Sequence, residues 1–298
     1  MKRRLPVLDR AEPEERTVPT VPFRHLAALW VQLTGTWCNL ECAHCINASG
    51  PDDPWLKPLD PGSTRRALDE AERLGVKEIY FTGGEPFLHR EILPLMEDAL
   101  RVAPTTVLTN GTAITESMAD ALAALASRTR YTLEIRVSLD DVDPDANDRV
   151  RGPGSWTKAV QAIRRLHARG LLPIVTATEI SGSDARTGRY ERFRDFLVRL
   201  GIDKPRLKIM PVFALGRMAG GDGERLSQDA LDGFDTGILQ CSDTRVVADG
   251  GVFACPILAG LEGARLSTGS LEDSFRSVPL YHTACVTCYR TEMSCRNS

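Results

Sequence analysis

Three cysteines, Cys38, Cys42 and Cys45, stand in a C-x3-C-x2-C array within the stretch TGTWCNLECAHCIN, Thr34 to Asn47. The array follows an apolar run, Leu29 to Leu33, whose length suits a buried strand. Thiolates gathered on one short loop at a strand's C-terminal end can hold a [4Fe-4S] cluster and leave its fourth iron without a protein ligand. Chemistry would begin at that open iron. Two plainer uses compete. A structural zinc site closes with four tetrahedral ligands, which these cysteines and His44 would supply. A disulfide framework is favoured by the even total of 8 cysteines. It needs an oxidising compartment, however, and usually a small secreted chain.

Further polar residues fall where strands are expected to end. Gly83-Gly84-Glu85-Pro86 combines two glycines that let backbone approach a ligand closely with a carboxylate able to accept from an ammonium group. The same four residues would also serve as a simple strand-to-helix turn. Ser138 and Asp140 stand two apart in VSLDD, so their side chains project to one side of an extended chain, or cap a loop. Arg151, in RVRGPGSW, offers a guanidinium suited to a carboxylate, or to solvent. Asn110, in TNG, serves the turn before Gly111. A second cysteine group, Cys241, Cys255, Cys285, Cys288 and Cys295, lies near the C-terminal end. Four of these would close a zinc ribbon or saturate one iron-sulfur cluster, because spacing alone does not name the metal.

The elements that must position these residues alternate regularly. Ser63 is expected to cap a helix with Ala67, Leu68, Ala71 and Leu74 on one apolar face and Gly75 at its end. Strands then fall at 78–82, 106–109, 133–139, 174–178 and 206–210, with helices at 116–126, 155–168 and 190–200. Such alternation implies a parallel sheet with right-handed crossovers, here an α/β partial (β/α)6 barrel with chemistry at the strands' C-terminal ends. Residues 1–25 read as an extended lead-in, 26–215 as the barrel, and 216–298 as a small cysteine-rich domain. The stretch Gly216 to Asp222 reads as a flexible connection.

At 298 residues, 42% hydrophobic and 26% charged, the chain has the composition of a globular protein. A formal net charge of -3 gives no overall attraction to nucleic acid, and no apolar run approaches membrane-spanning length. Neither nucleic acid nor membrane is therefore expected as a partner. The N-terminus starts basic but lacks an apolar core, so a cytoplasmic location is expected, with the cysteines in metal or redox service.

Taken together, the C-x3-C-x2-C loop with His44 before its last cysteine and the GGEP turn after the second strand resemble the radical S-adenosylmethionine (SAM) superfamily. The resemblance implies that Cys38, Cys42 and Cys45 hold a [4Fe-4S] cluster whose open iron chelates SAM, and that SAM cleavage yields a 5'-deoxyadenosyl radical. It further implies SAM contacts from His44, Gly83, Gly84, Glu85, Pro86, Ser138, Asp140 and Arg151. The C-terminal cysteines are similar to a twitch domain, the shortened SPASM extension, with Cys241, Cys255, Cys285 and Cys288 on an auxiliary [4Fe-4S] cluster. ADGGVFACPIL and TGSLEDS resemble that extension's hairpin and following helix.

Cys295 is then left over, as a hydrogen-atom donor or as an inert buried thiol. A donor thiol would make the enzyme an epimerase; electron transfer to the auxiliary cluster would make it a dehydrogenase. Both reactions occur among similar enzymes of aminoglycoside biosynthesis, so a sugar or aminocyclitol substrate is expected, with flavodoxin or ferredoxin as electron donor. Acidic residues Asp52, Asp53, Asp140, Asp141 and Asp143 would attract a polycationic aminosugar. The alternative is a peptide maturase, disfavoured at this point because residues 1–25 are too short for a folded peptide-binding domain. The reading from another class is a non-catalytic iron-sulfur or zinc-ribbon protein.

Overall fold

The computed structural model describes residues 18–52, 54–179, 186–220 and 223–297. Most of the lead-in and Asp53 lie outside the described residues. In chain order come β1 (Thr20–Val21), β2 (Ala28–Gln32), α1 (Pro61–Arg73), β3 (Glu78–Thr82), α2 (Ile92–Val102), β4 (Thr105–Thr109), α3 (Glu116–Arg128) and β5 (Leu133–Ser138). These are followed by α4 (Pro144–Arg151), α5 (Ser155–His167), β6 (Ile174–Thr178), α6 (Arg186–Arg199) and β7 (Arg206–Met210). The C-terminal part adds β8 (Thr244–Ala248), β9 (Gly251–Phe253), β10 (Arg265–Ser267), β11 (Val278–Pro279) and α7 (Thr283–Thr291).

Strands β2 to β7 are parallel neighbours in sequence order, as the β/α alternation predicts. Their period-two pattern separates two environments. Leu29 and Val31 of β2, Ile79 and Phe81 of β3, and Leu133, Ile135 and Val137 of β5 join the core beneath the helices. The alternate residues Trp30, Gln32, Thr82, Arg136 and Ser138 line the barrel's interior cavity. Helix α1 is capped by Asp60, which accepts from the Ser63 backbone N–H at 2.9 Å, so Ser63 lies inside the helix it was expected to cap. Pro61 takes the first helical position, where a missing N–H costs nothing. Helix α4 was not expected, because its PDANDRVR sequence has almost no apolar face. The TGSLEDS segment holds a short 3-10 turn, Glu272–Ser274, where a helix was expected.

The cysteine-rich part is continuous with the barrel. Strand β8 lies parallel to β2, and β9 and β10 follow it antiparallel, giving one 9-stranded sheet. Its apolar residues share a core with Trp30, Tyr80 and Phe213. Beyond α7 the chain runs back inside the barrel. The Cys295 carbonyl accepts from Arg136 Nη1 at 2.6 Å, Asn297 Nδ2 donates to Thr106 Oγ1 at 2.8 Å, and Lys208 Nζ donates to the Arg296 carbonyl. Inward-facing polar residues of β4, β5 and β7 thus hold a floor under the cavity.

Leu95 of α2 is fully buried against this sheet. Leu95→Ala is expected to lower unfolding free energy by about 3 kcal/mol, read from the denaturation midpoint.

Candidate active site

The cysteine loop leaves β2 through a turn in which Trp37 N–H donates to the Thr34 carbonyl at 2.9 Å. Its ends are tied together, Cys38 N–H to the Gly50 carbonyl at 2.9 Å and Gly50 N–H to the Thr36 carbonyl at 3.1 Å. Between these ties, Cys38, Cys42 and Cys45 all line one cavity of about 260 Å³, together with His44, Gly83, Gly84, Asn110, Ser138 and Arg151. Cys38 Sγ accepts from Leu40 N–H at 3.4 Å, and Cys45 Sγ accepts from Ser49 N–H at 3.3 Å. Such N–H···S contacts favour thiolate character and tune a bound cluster. Burial pushes the Cys38 thiol up to about 12.

The GGEP turn supports the loop from below. A Cβ on Gly84 would stand 2.0 Å from the Trp37 carbonyl oxygen and 2.8 Å from Cys38 Cβ, so the glycine lets β3 press against the cysteine loop. Glu85 is fully buried, and its carboxylate accepts from Thr109 Oγ1 at 2.7 Å, Asn110 N–H at 2.7 Å and Phe87 N–H at 3.1 Å. With these donors in place, the carboxylate fixes the turn and does not face the cavity as an ammonium acceptor. Pro86 is buried at the start of the following turn.

Asp140 differs in the same way from the expected ligand contact. It is 1% exposed, with Oδ2 lying 2.7 Å from His44 Nε2 and 2.6 Å from Arg151 Nε, while Oδ1 accepts from Thr178 N–H at 2.8 Å. Burial alone would raise its pKa, but the Arg151 guanidinium and His44 hold the carboxyl well below the usual carboxylate range. His44 and Arg151 therefore reach the cavity wall as groups already oriented by Asp140. Ser138 lines the cavity directly. Asp141 meets Arg192 at 3.2 Å and Asp143 caps α4, so these acids have local partners. Asp52 is exposed.

Sequence reasoning missed the clamp on the opposite side. The segment read as a flexible connection contains Gly216–Met218, a short turn locked to the cysteine loop. Arg217 N–H donates to the Cys45 carbonyl at 3.1 Å, and its guanidinium reaches the carbonyls of Cys42 at 3.0 Å and Ser49 at 2.6 Å. Gly216, at φ +59, lies so close that a Cβ would fall 2.2 Å from the Cys45 carbonyl oxygen. Gln32 was also missed, although a lone amide in the run LWVQL was the available signal.

All eight cysteines are free thiols. Cys241, Cys255, Cys285 and Cys288 surround a second, apolar cavity, whereas Cys295 lines the first. Gln240 joins the two walls: its Nε2 donates to Cys295 Sγ at 3.2 Å and its Oε1 accepts from Cys295 N–H at 3.0 Å.

The sequence model of the family described as "Radical SAM superfamily" matches residues 33–195, the span that contains the cysteine loop, the GGEP turn, Ser138, Asp140 and Arg151. The chain belongs to the radical SAM superfamily. It is 34% identical over 145 residues to mycofactocin maturase MftC of Mycobacterium tuberculosis, covering 48% of this chain and 35% of that protein. It is 31% identical over 162 residues to PqqA peptide cyclase of Ruegeria pomeroyi, covering 54% of this chain and 40% of that one. The chain thus matches well under two thirds of the length of either relative. Among solved structures, Streptococcus suis SuiB bound to precursor peptide SuiA superposes with a TM-score of 0.64 at 16% identity, over 86% of this chain and 66% of SuiB. That likeness shows the fold. Membership implies a [4Fe-4S] cluster and SAM as cofactors.

The residues fit those cofactors. Three thiols share one cavity wall, and among the described residues Gln32 Oε1, His44 Nδ1 and Ser49 Oγ are buried cavity-lining atoms without a protein partner.

Two variants test the buried carboxylates. Asp140→Asn leaves Arg151 buried without its counter-charge and is expected to cost about 3 kcal/mol at pH 7 by denaturant titration. Because the native pKa is depressed, that loss persists until the pH falls below the usual carboxylate range. Glu85 has the opposite sign, since burial pushes it up to about 7 from 4.5. Its contribution is present below pH 4.5 and declines as pH rises to about 7. The stability difference between wild type and Glu85→Gln should change by on the order of 3 kcal/mol across that window.

Proposed function

We propose that Cys38, Cys42 and Cys45 hold the catalytic [4Fe-4S] cluster and that SAM binds along Gln32, His44, Gly83, Gly84 and Ser138. In this reading Glu85, Pro86, Asp140 and Arg151 position the turn and the loop. Cluster and SAM together supply a carbon-centred radical that removes a hydrogen atom from substrate. The outcome is inversion at that carbon. Cys295 donates the replacing hydrogen: its S–H bond breaks, a C–H bond forms, and the sulfur radical left behind takes one electron from an external flavodoxin- or ferredoxin-type donor and one proton from water. Cys241, Cys255, Cys285 and Cys288 hold the auxiliary cluster.

The observation that carries this reading is that Cys295, although packed with the other C-terminal thiols, is the one of the five that also lines the cavity of the three loop cysteines. Gln240 donates to its sulfur and fixes its direction. For the substrate class, the relative named as PqqA peptide cyclase and the SuiB structure with precursor peptide SuiA favour a peptide. Of the acids expected to draw a polycationic aminosugar, Asp140, Asp141 and Asp143 are engaged by the protein's own groups, which leaves the sugar or aminocyclitol resting chiefly on the family resemblance. The substrate proposed is therefore a peptide.

The test uses protein reconstituted anaerobically with iron and sulfide, reduced, and given SAM with peptide and aminoglycoside panels in deuterated water. A peptide product carrying a single added deuterium is expected, together with 5'-deoxyadenosine. Cys295→Ala should still form 5'-deoxyadenosine yet lose the deuterium, and alanine at Cys38, Cys42 or Cys45 should abolish both. A product lighter by two hydrogens would replace epimerisation with dehydrogenation, and turnover of sugars alone would overturn the peptide assignment.

A further inference from the structure

Arg136 is a charged residue in the middle of a parallel strand, and only 2% of it is exposed. The alternation along β5 directs it inward, and it lines the cavity that also holds the loop cysteines and Cys295. Its Nε donates to Thr176 Oγ1 at 3.2 Å and its Nη1 to the Cys295 carbonyl at 2.6 Å. Both partners are neutral. Among the described residues no carboxylate lies within ion-pair distance of this guanidinium, and nothing accepts from Nη2.

The acids nearby are already engaged. Glu134 is taken by Arg206 at 2.5 Å and by Asn297, Glu78 accepts from Tyr80 Oη at 2.5 Å, and Asp243 pairs with Arg296 at 3.1 Å. Lys208, on β7, adds a second cation to the same floor, and its ammonium donates to a backbone carbonyl. Its pKa is lowered to about 8 by burial and by repulsion from Arg136. The interior thus holds excess positive charge in a low-dielectric setting, an arrangement that is unfavourable until an anion joins it. A planar guanidinium with unused donors matches a carboxylate in fork geometry.

We propose that Arg136 forms a carboxylate-binding subsite at the floor of the radical cavity, which anchors the substrate by a free carboxylate group. The inference rests on the reading that this cavity takes a peptide-class substrate, and it adds what that substrate must carry. Because Arg136 holds the carbonyl of Cys295, an anchored carboxylate lies along the same wall as the donor thiol. The carboxylate comes from a chain end or from an acidic side chain; the chemistry recognised is the same.

The experiment measures binding by the reconstituted, SAM-loaded protein, at ionic strength matched with sodium chloride. The probes are N-acetylglycine for a chain end, butyrate for a side chain, and N-acetylglycinamide as the uncharged counterpart, followed by thermal shift and calorimetry. At least one of the two acids is expected to bind and raise the melting temperature, the amide to do neither, and whichever acid binds more tightly names the source. Arg136→Gln should weaken acid binding on the order of 10-fold or more, and Arg136→Lys, a point charge without the fork, by less. Equal binding of acid and amide, no binding of either acid, or undiminished acid binding by Arg136→Gln would overturn the subsite. If Arg136→Gln does not fold, the acid and amide comparison on wild type and on Arg136→Lys still decides. These readouts involve no turnover, so loss of the Cys295-dependent deuterium would defeat the epimerase reading while leaving acid binding intact.

Discussion

A single buried carboxylate holds the top of this barrel together. Asp140 receives His44 from the cysteine loop, Arg151 from the end of α4 and the Thr178 N–H from the end of β6. Its backbone carbonyl accepts from Arg189 of α6, and its N–H donates to Asn147 of α4. An ion so far from water is tolerated only when its lone pairs are met and its charge is balanced, and here both conditions hold. The consequence is geometric. Three separate pieces of chain must arrive in register for the Asp140 carboxylate to stay charged, so the cysteine loop cannot be displaced alone.

The same logic explains why parts of the fold were legible in sequence and parts were not. The parallel strands announced themselves because a strand covered by helices repeats its apolar residues on one face, as in Leu133, Ile135 and Val137 of β5. The cysteine loop was legible because thiol spacing on a short loop is itself the chemistry. Asp140 and Glu85 were visible as residues, yet their roles were not, because those roles are set by partners 96 and 25 positions away along the chain. Residue type gives a carboxylate its capacity to accept; only packing decides whether a ligand or the protein's own N–H groups use it. Helix α4 escaped for a related reason, since an eight-residue helix with only Asn147 and Arg151 buried is held by polar contacts that periodicity does not register.

Arg217 is a case where composition pointed the wrong way. GRMAGGD has the glycine content of a linker. In the structure the first glycine allows contact closer than any side chain permits, and the arginine then donates to carbonyls of the loop. Glycine signals freedom in the unfolded chain and close approach in the folded one, and sequence alone does not separate the two. The clamp also limits the boundary expected near residue 216, because the chain that leaves the barrel is the chain that secures its cysteine loop.

Continuity between barrel and cysteine-rich part has a further consequence for the two thiol sets. Had residues beyond 216 formed a separate module, the wall between the cavities would be an interface free to slide. Instead β8 is hydrogen-bonded to β2, the strand that leads into the cysteine loop, and Gln240 next to Cys241 grips Cys295 through two hydrogen bonds. A rigid sheet fixes the strands, and the Gln240 clamp fixes the thiol relative to them. Donation of a hydrogen atom demands that the donor face one side of a carbon and not the other, a distinction of a few ångströms that a hinged domain would not preserve. The position of Cys295 is therefore set by two side chains, Gln240 just before β8 and Arg136 on β5, which is the fixed geometry that the proposed inversion calls for.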